Sequence, residues 1–313
     1  MLSAEDESLR ELLGELAQAG YHFVTPTPET HRRVIARRGQ AKNLRDIFGW
    51  SLPFLPQIAG PRIFALLETA EMLIREGSTF KSAVRVSSVG DALFVHSAYP
   101  TAQADSVFFG PDSYRFVEFL RRELAGTPPF GRLVDIGTGS GVGGIMAASA
   151  IQAGRVTLSD INPLALRFAR INASHNDVEV ETVEAPGVDG IEAPIELAIS
   201  NPPFMMDNAG RAYRDGGGMH GAALSLDWAL ATAAKLAPGG RMLLYTASAI
   251  VGGRDRLREA LTEELGANSF QLRYREIDPD VFGEQIEEPG YEEVERIAVV
   301  GIVIERLDRD ACG

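Results

Sequence analysis

The sequence predicts an α/β protein in which a small helical N-terminal domain precedes a mostly parallel sheet. Two observations predict this fold. Up to about residue 76, apolar residues recur at intervals of three and four, whereas beyond residue 100 β-branched runs alternate with Ala- and Leu-rich runs. The first spacing is typical of amphipathic helices. The second is typical of parallel strands whose connecting helices cover both faces of the sheet.

The composition is that of a globular protein with an excess of negative charge. Of 313 residues, 45% are apolar and 23% are charged, and the formal net charge is −13. A chain with this charge repels polyanions as a whole, which disfavours a general nucleic-acid binder. The single cysteine, Cys312, allows no intrachain disulfide or Cys-based zinc site and fits a reducing compartment.

We expect neither a targeting segment nor a metal site. The first 13 residues are acidic and amphipathic, unlike a secretory signal, and no apolar run approaches the roughly 20 residues that span a bilayer. These features predict a cytoplasmic protein with no membrane contact. The five histidines lack the spacing of metal ligands.

Residues 1–80 are predicted to form the helical domain, which would bind a substrate or partner. The apolar residues with helical spacing are Leu9, Leu12, Leu13 and Leu16, then Ile63, Leu66, Leu67, Ala70 and Leu73. Between these two groups, Pro53 and Pro56 interrupt any helix, so the segment from Trp50 to Pro56 is predicted to be a loop or a lid.

Residues 81–100 are predicted to form a linking β-hairpin, and residues 101–313 the sheet domain. Val84, Val86, Leu93 and Val95 alternate with other residues around a Gly-containing turn at 88–91, which is typical of a hairpin. Beyond it, the strand candidates are 133–136, 156–159, 178–183, 197–200, 242–246, 271–277 and 297–304. No helical pattern separates the last two, so we expect the sheet to end in an antiparallel pair.

A turn dense in glycine follows the first strand of the sheet domain. It reads Asp-Ile-Gly-Thr-Gly-Ser-Gly from Asp135 to Gly141. Glycines let the backbone approach a ligand, and the N-terminus of the next helix offers unpaired N–H groups. Val142 stands where a dinucleotide fingerprint requires its third glycine, so the nicotinamide interpretation fails there. An ordinary tight turn is the structural alternative.

With this turn, the sequence resembles the class I S-adenosylmethionine-dependent methyltransferases, whose first motif is D-x-G-x-G-x-G. The resemblance implies a Rossmann-like seven-stranded sheet in the order 3-2-1-4-5-7-6 with the last strand antiparallel, and S-adenosyl-L-methionine as the cofactor. It also implies that Asp160, at the end of the second strand, accepts the ribose hydroxyls. The cofactor-binding residues implied are Asp135, Gly137, Thr138, Gly139, Gly141, Asp160, Ile161 and Asn201.

The fourth strand ends in the tetrapeptide Asn201-Pro202-Pro203-Phe204. The two prolines fix φ and turn the carbonyl groups of Asn201 and Pro202 outward. These carbonyls and the side-chain oxygen of Asn201 can accept both hydrogens of a planar NH2 group, while Phe204 stacks on its flat face. We therefore predict Asn201, Pro202 and Phe204 as the catalytic residues. A tetrapeptide that merely ends a strand is the alternative.

This tetrapeptide is similar to that of the amino-methylating branch of the family, the HemK-like small-domain methyltransferases. The resemblance implies that the acceptor is a protein glutamine amide or an exocyclic nucleobase amine. The segment 108–116 matches the Pro-Arg-Pro-x-Thr-Glu segment of HemK-type enzymes only at Pro111 and Ser113, and a helix cap at Asp112 or Ser113 explains it equally well. The residues assigned to the substrate are Pro203, Tyr114 and His220.

Three further features keep two interpretations each. Glu184 and Asp189 are alternative contacts for the adenine. The loop 211–221, with three consecutive glycines, is either a mobile cover over the acceptor or a plain surface connection, and its His220 is either a proton acceptor or a solvated histidine. The positive residues between 32 and 45 either contact phosphates or an acidic partner, or form a solvated face.

The sequence therefore predicts methyl transfer from S-adenosylmethionine to a planar nitrogen. The acceptor is a base in RNA, a glutamine in a protein, or a small metabolite. The rival hypothesis is a non-catalytic cofactor-binding interaction module whose helical domain carries the function.

Overall fold

A sheet of seven main strands forms the centre of the structure, a computed structural model that describes residues 2–101, 103–206, 214–266 and 269–308. The helices are α1 Ala4–Gln18, α2 Pro28–Ile35, α3 Leu44–Phe48, α4 Pro56–Thr69, α5 Pro111–Leu124, α6 Val142–Ile151, α7 Pro163–His175, α8 Ala223–Lys235 and α9 Arg256–Leu265, with 3₁₀ turns at Met219–Gly221 and Gly283–Glu287. The strands are β1 Leu73–Glu76, β2 Thr79–Ser82, β3 Val84–Val89, β4 Ala92–Ser97, β5 Arg132–Ile136, β6 Arg155–Asp160, β7 Glu181–Glu184, β8 Ile195–Ser200, β9 Leu236–Val251, β10 Arg254–Asp255, β11 Phe270–Asp278 and β12 Val294–Arg306.

The order of the strands confirms the prediction. The sheet runs β7-β6-β5-β8-β9-β12-β11, which is 3-2-1-4-5-7-6 when its strands are numbered along the chain, with the short β10 paired to β9. β5 pairs in parallel with β6 and β8, whereas β12 is antiparallel to both β9 and β11. The antiparallel step follows because only a 3₁₀ turn, and no crossover helix, connects β11 to β12.

The N-terminal part contains a β-hairpin as well as helices. The helical spacing predicted one helix through Leu73, but α4 ends at Thr69 and Leu73 begins the antiparallel pair β1–β2. The prediction was wrong because Glu71 has a φ of 59°, which no α-helix continues, and Gly77, with a φ of 60°, closes the hairpin. No helix within the described part of the chain is long and apolar enough to cross a membrane.

The predicted loop around Trp50 is present between α3 and α4, but it is not a lid. The side chains of Trp50, Leu52 and Phe54 are all buried, and Phe54 forms a backbone bridge with Phe80. The burial of these side chains attaches the loop to the core of the N-terminal part. The linking hairpin is also present as β3 and β4, which pair from Val84 opposite Ser97 to Val89 opposite Ala92.

One hydrophobic core continues from the N-terminal helices into the sheet domain. Ala165, Phe168 and Ile171 of α7 belong to the same buried cluster as α1, α3, α4 and the hairpin β3–β4. The Arg167 side chain also donates to the Asp6 carboxylate at 2.5 Å. The division of the chain near residues 80 and 100 stays a prediction, and the core does not break there.

Candidate active site

A cavity of about 450 Å³ opens at the carboxyl ends of β5, β6 and β8. The order of the strands reverses between β5 and β8, and this switch point is where open α/β sheets bind their ligands. The glycine turn after β5, the end of β6 and the tetrapeptide after β8 all contribute to its wall. The fold therefore brings together three segments that lie far apart in the sequence.

The three alternating glycines have three different roles. All have positive φ, at 68° for Gly137, 54° for Gly139 and 82° for Gly141. A Cβ on Gly137 would lie 2.8 Å from the Trp228 ring, and one on Gly141 would lie 3.2 Å from Ala169 of α7. A Cβ on Gly139 would meet no atom within 4 Å. Gly137 and Gly139 line the cavity, whereas Gly141 permits close packing of α6 against α7.

Asp135 supplies a buried carboxylate to the cavity wall. Its Oδ2 accepts from Thr138 Oγ1 at 2.6 Å and from the Gly144 N–H at 2.8 Å, which fixes the glycine turn to the end of β5. Its Oδ1 is buried and has no hydrogen-bond partner. Burial raises the pKa of this carboxyl to about 6, and the nearby negative charge of Asp160 adds to the shift.

Asp160, the last residue of β6, reaches the same cavity. Its two oxygens accept the N–H groups of Gly139 and Asn162, both at 2.9 Å, so the carboxylate has a fixed orientation. Burial raises its pKa as well. Ile161, which follows it, lines the cavity with a side chain that is 58% exposed, so its surface is available to cover a flat ligand.

The tetrapeptide after β8 lines the cavity along its whole length, from Asn201 to Phe204. The Asn201 Oδ1 is buried and accepts no hydrogen bond. The Phe204 ring centroid lies 5.9 Å from that of Phe282, which also lines the cavity. An unpaired acceptor therefore lies beside two aromatic rings, a combination suited to a planar group that carries hydrogen-bond donors.

Two of the residues predicted to contact the substrate do not line the cavity. The Tyr114 hydroxyl accepts from the Thr25 N–H at 2.9 Å, so this side chain connects α5 to the N-terminal part. His220 lies in the 3₁₀ turn 219–221, where its backbone carbonyl accepts from the Tyr291 hydroxyl at 3.2 Å. Neither is among the residues of the cavity wall. The third predicted residue, Pro203, is part of the wall.

Neither candidate adenine contact lines the cavity. Glu184 and Asp189 are exposed and lie outside the cavity wall, whereas Ala185, Pro186 and Gly187 form part of it. Gly187 has a φ of 57°, and a Cβ there would lie 2.7 Å from the Trp228 Nε1 atom. Trp228 thus packs against two glycines of the wall. Sequence reasoning missed it because it lies on α8, far along the chain from both glycines.

The segment before α5 forms a helix cap, but the N-cap residue is neither Asp112 nor Ser113. The N-cap is Gly110, and its N–H donates to Ser113 Oγ at 3.3 Å. Asp112 is not a cap: it is buried in the cavity wall, where its Oδ1 accepts from the Tyr245 hydroxyl at 2.9 Å. Burial raises the pKa of Asp112.

The described part of the glycine loop packs closely. The Gly216 N–H donates to the Met205 carbonyl at 2.6 Å, and the Gly216 carbonyl accepts from Leu224 at 3.0 Å. A Cβ on Gly216 would lie 2.7 Å from the Pro203 carbonyl oxygen. Gly216 therefore packs against the tetrapeptide, and the mobile cover stays a prediction. Residues 211–213 of the predicted loop, and Cys312, lie outside the described residues.

Comparison with known proteins identifies a matching family. Residues 113–262 match the model of the methyltransferase small domain. The release factor glutamine methyltransferase of Deinococcus radiodurans is 32% identical over 165 residues, covering 49% of this chain and 55% of that protein. The ribosomal RNA small subunit methyltransferase C of Pseudomonas aeruginosa is 36% identical over 123 residues, covering 38% of this chain and 33% of that protein. The matches thus span about half of the first relative and a third of the second.

Among solved structures, the chain is similar to M. jannaschii TYW2 in complex with AdoMet. The TM-score is 0.48 at 18% sequence identity, and the match covers 75% of this chain and 90% of that one.

Proposed function

We propose that the chain transfers a methyl group from S-adenosylmethionine to a planar, sp²-bound amine nitrogen, a function that the match of residues 113–262 to the methyltransferase small domain supports. The single observation that carries the proposal is the buried, unpaired Oδ1 of Asn201 in the cavity wall. A buried acceptor without a partner costs about 1–3 kcal/mol, so its presence favours a ligand that donates to it.

The other end of the cavity fits the cofactor. Asp160 is held by two backbone N–H groups, which leaves further lone pairs on its oxygens for ribose hydroxyls. The side of Gly139 that faces no protein atom leaves room for a ligand against the turn, and the unpaired Oδ1 of Asp135 offers an additional acceptor. When bound, S-adenosylmethionine supplies an electrophilic methyl group on a sulfonium.

The protein's contribution is to orient the acceptor nitrogen. Asn201 Oδ1 and the outward carbonyls of Asn201 and Pro202 accept the hydrogens of the NH2 group, which directs the nitrogen lone pair out of the hydrogen-bonded plane. Phe204, packed against Phe282, covers one flat face of the acceptor and leaves the other face open to the methyl group. Methyl transfer is an in-line displacement in which the N–C bond forms as the S–C bond breaks, S-adenosylhomocysteine leaves, and the nitrogen gives up one hydrogen as a proton to water. A fixed nitrogen removes much of the entropic barrier, and the acceptor dipoles stabilise the positive charge that develops on it.

The names of the two relatives point to different acceptors, a release factor glutamine and ribosomal RNA. For this chain the acceptor class is a proposal, with a protein glutamine, a nucleobase amine and a small metabolite as its members. The rival function, a cofactor-binding module without catalysis, would also account for the cofactor end of the cavity. It does not account for the unpaired Oδ1 of Asn201.

The test compares Asn201→Ala with Asp160→Ala. Cell extract is incubated with the purified protein and S-adenosylmethionine labelled in its methyl group, and label is counted in the protein, RNA and small-molecule fractions. We expect Asn201→Ala to lower the rate of transfer by roughly 10²–10³-fold, while calorimetric titration with S-adenosylhomocysteine shows wild-type affinity. Asp160→Ala should lose the cofactor itself. Transfer by Asn201→Ala at the wild-type rate would contradict the proposed role.

A further inference from the structure

Six exposed positive side chains form one surface on α2, on the loop after it and on α3. They are Arg32, Arg33, Arg37, Arg38, Lys42 and Arg45, and they are called the α2–α3 surface below. This concentration is unusual in a chain whose formal net charge is −13. All six residues precede the part of the chain that matches the family model.

Within the described part of the chain, two carboxylates form ion pairs with this surface. Glu29 pairs with Arg32 at 2.7 Å and with Arg33 at 2.8 Å, and Asp46 pairs with Arg38 at 2.6 Å. Arg37, Lys42 and Arg45 make no ion pair with any residue that the structure describes. The α2–α3 surface therefore keeps an excess of positive charge that no other described part of the protein balances.

The surface begins at the mouth of the active-site cavity. Pro28, the first residue of α2, is part of the cavity wall. With a rise of about 1.5 Å per residue, Arg32 lies roughly 6 Å further along the helix. A molecule held by the α2–α3 surface therefore lies next to the cavity, close enough for one of its groups to enter.

The opposite rim of the cavity is strongly acidic. Residues 279–295 contain seven exposed Asp and Glu side chains and no Lys or Arg, and Glu284 is part of the cavity wall. This segment joins β11 to β12, in the half of the sheet away from β6 and β7. The α2–α3 surface lies in the other half, since α2 shares a core with α7. The mouth thus has one positive and one negative side.

We propose that the α2–α3 surface binds the phosphodiester backbone of an RNA whose target base enters the cavity. The inference rests on the proposed function, because it assigns the acceptor to the nucleobase class. Three observations support this proposal, and the first of them favours RNA over an acidic protein. Phe204, packed against Phe282, lines the cavity and offers a ring face on which a base can stack. Five of the six cations are arginines, whose planar forks match phosphate oxygens. The acidic rim repels a polyanion and so directs it towards the α2–α3 surface.

The test compares two double variants with the same change in charge. Arg37→Gln with Lys42→Gln removes two cations that make no ion pair in the described structure. Arg121→Gln with Arg122→Gln removes two exposed cations from the last turn of α5, at the opposite end of that helix from the cavity. Binding of a fluorescein-labelled single-stranded RNA is followed by anisotropy at roughly 50–200 mM KCl, where the electrostatic part of the affinity falls steeply. A polyglutamate peptide of equal charge is the second probe.

We expect the wild type to bind the RNA with an affinity that falls steeply with salt. In the Arg37/Lys42 variant, the slope of log affinity against log salt should become shallower by about 1.4, since each contact to a single-stranded phosphate contributes about 0.7. The Arg121/Arg122 variant should keep the wild-type slope. Equal losses in both variants, or no RNA binding by the wild type, would overturn the inference. So would equally tight binding of polyglutamate, which would identify an acidic protein as the partner.

Cofactor titration of the same proteins separates this inference from the proposed function. Both double variants should bind S-adenosylhomocysteine as the wild type does, because none of the four residues lines the cavity. If RNA binds as expected and the cofactor does not, the proposed function fails and the binding surface stands. If the cofactor binds and RNA does not, the inference fails and the proposed function stands.

Discussion

Asp135 holds the glycine turn in place, although one of its two carboxylate oxygens has no hydrogen-bond partner. Its Oδ2 holds the glycine turn through Thr138 and Gly144, while its Oδ1 is buried without a partner. The carboxylate form is therefore poorly solvated, and the pKa rises from 3.8 to about 6. A ligand that donates a hydrogen bond to Oδ1 would stabilise the carboxylate and lower the pKa again.

The raised pKa of Asp135 gives the stability of the protein a definite pH dependence. The folded state binds this proton more tightly than the unfolded state, so the contribution to stability is fully present below pH 3.8 and is lost as the pH rises through about 6. Between pH 5 and 7 the loss is about 1 kcal/mol. The side chain in Asp135→Asn does not titrate in this range. The free energy of unfolding of this variant, relative to that of the wild type, should therefore be about 1 kcal/mol higher at pH 7 than at pH 5.

Urea denaturation of the two proteins at pH 5, 6 and 7, without ligand, checks this prediction. Thr157→Val, which alters another buried polar group of the sheet that has no partner, controls for general changes in the core. A constant difference between Asp135→Asn and wild type across this range would show that Asp135 does not titrate there.

One side chain attaches the hairpin β3–β4 to the sheet domain. Asn172 of α7 is fully buried and forms hydrogen bonds with both backbone groups of Val95 in β4, at 2.7 and 2.9 Å. It also donates to the Ser140 carbonyl in the glycine turn at 2.8 Å. The same amide therefore connects the hairpin, α7 and the turn that forms the cofactor end of the cavity.

Asn172→Ala should destabilise the protein strongly. The substitution leaves the N–H and carbonyl of Val95 and the carbonyl of Ser140 without this partner in a buried environment, and one such group costs about 1–3 kcal/mol. We expect the free energy of unfolding to fall by about 3 kcal/mol or more, measured by urea denaturation. Asn176→Ala, one turn later, loses a single bond to β4 at 3.1 Å and should fall by about 1 kcal/mol. Equal effects of the two substitutions would contradict the role of Asn172.

These contacts also show which elements the sequence could predict. The strands could be predicted from local patterns, because β5, β6 and β8 are short runs that end directly before Gly137, at Asp160 and directly before Asn201. The glycine turn and the tetrapeptide were predicted from their own residues, whereas the strand order and the role of Asp160 came from the resemblance to the class I methyltransferases. Tyr114, His220 and Trp228 could not be placed in the same way. Their environments depend on Thr25, Tyr291 and Gly187, which lie far from them in the sequence.

For the whole molecule, net charge likewise does not predict how the charges are distributed over the surface. The net charge of −13 predicted repulsion of polyanions, yet the structure separates charge into the α2–α3 surface and the acidic segment 279–295. Net charge governs long-range repulsion, whereas binding at the cavity depends on the charges within about 8 Å at physiological salt. Composition alone therefore does not decide whether a polyanion binds at this mouth.

The shared core makes the N-terminal part necessary for the stability of the rest. Ala165, Phe168 and Ile171 of α7 are buried against the N-terminal helices and the hairpin β3–β4, so a chain of residues 103–313 would expose them. Exposing one large apolar side chain costs about 1.5–3 kcal/mol, and the loss of the Asn172 hydrogen bonds adds to this. We expect this fragment to lose its cooperative thermal transition and to bind a hydrophobic dye, while the full chain unfolds in one transition. Adding residues 2–101 as a separate fragment should restore cooperativity, because the missing surface is then supplied in trans. A fragment 103–313 that unfolds cooperatively near the wild-type midpoint would show instead that the sheet domain is stable alone, with α7 repacking without its N-terminal partner.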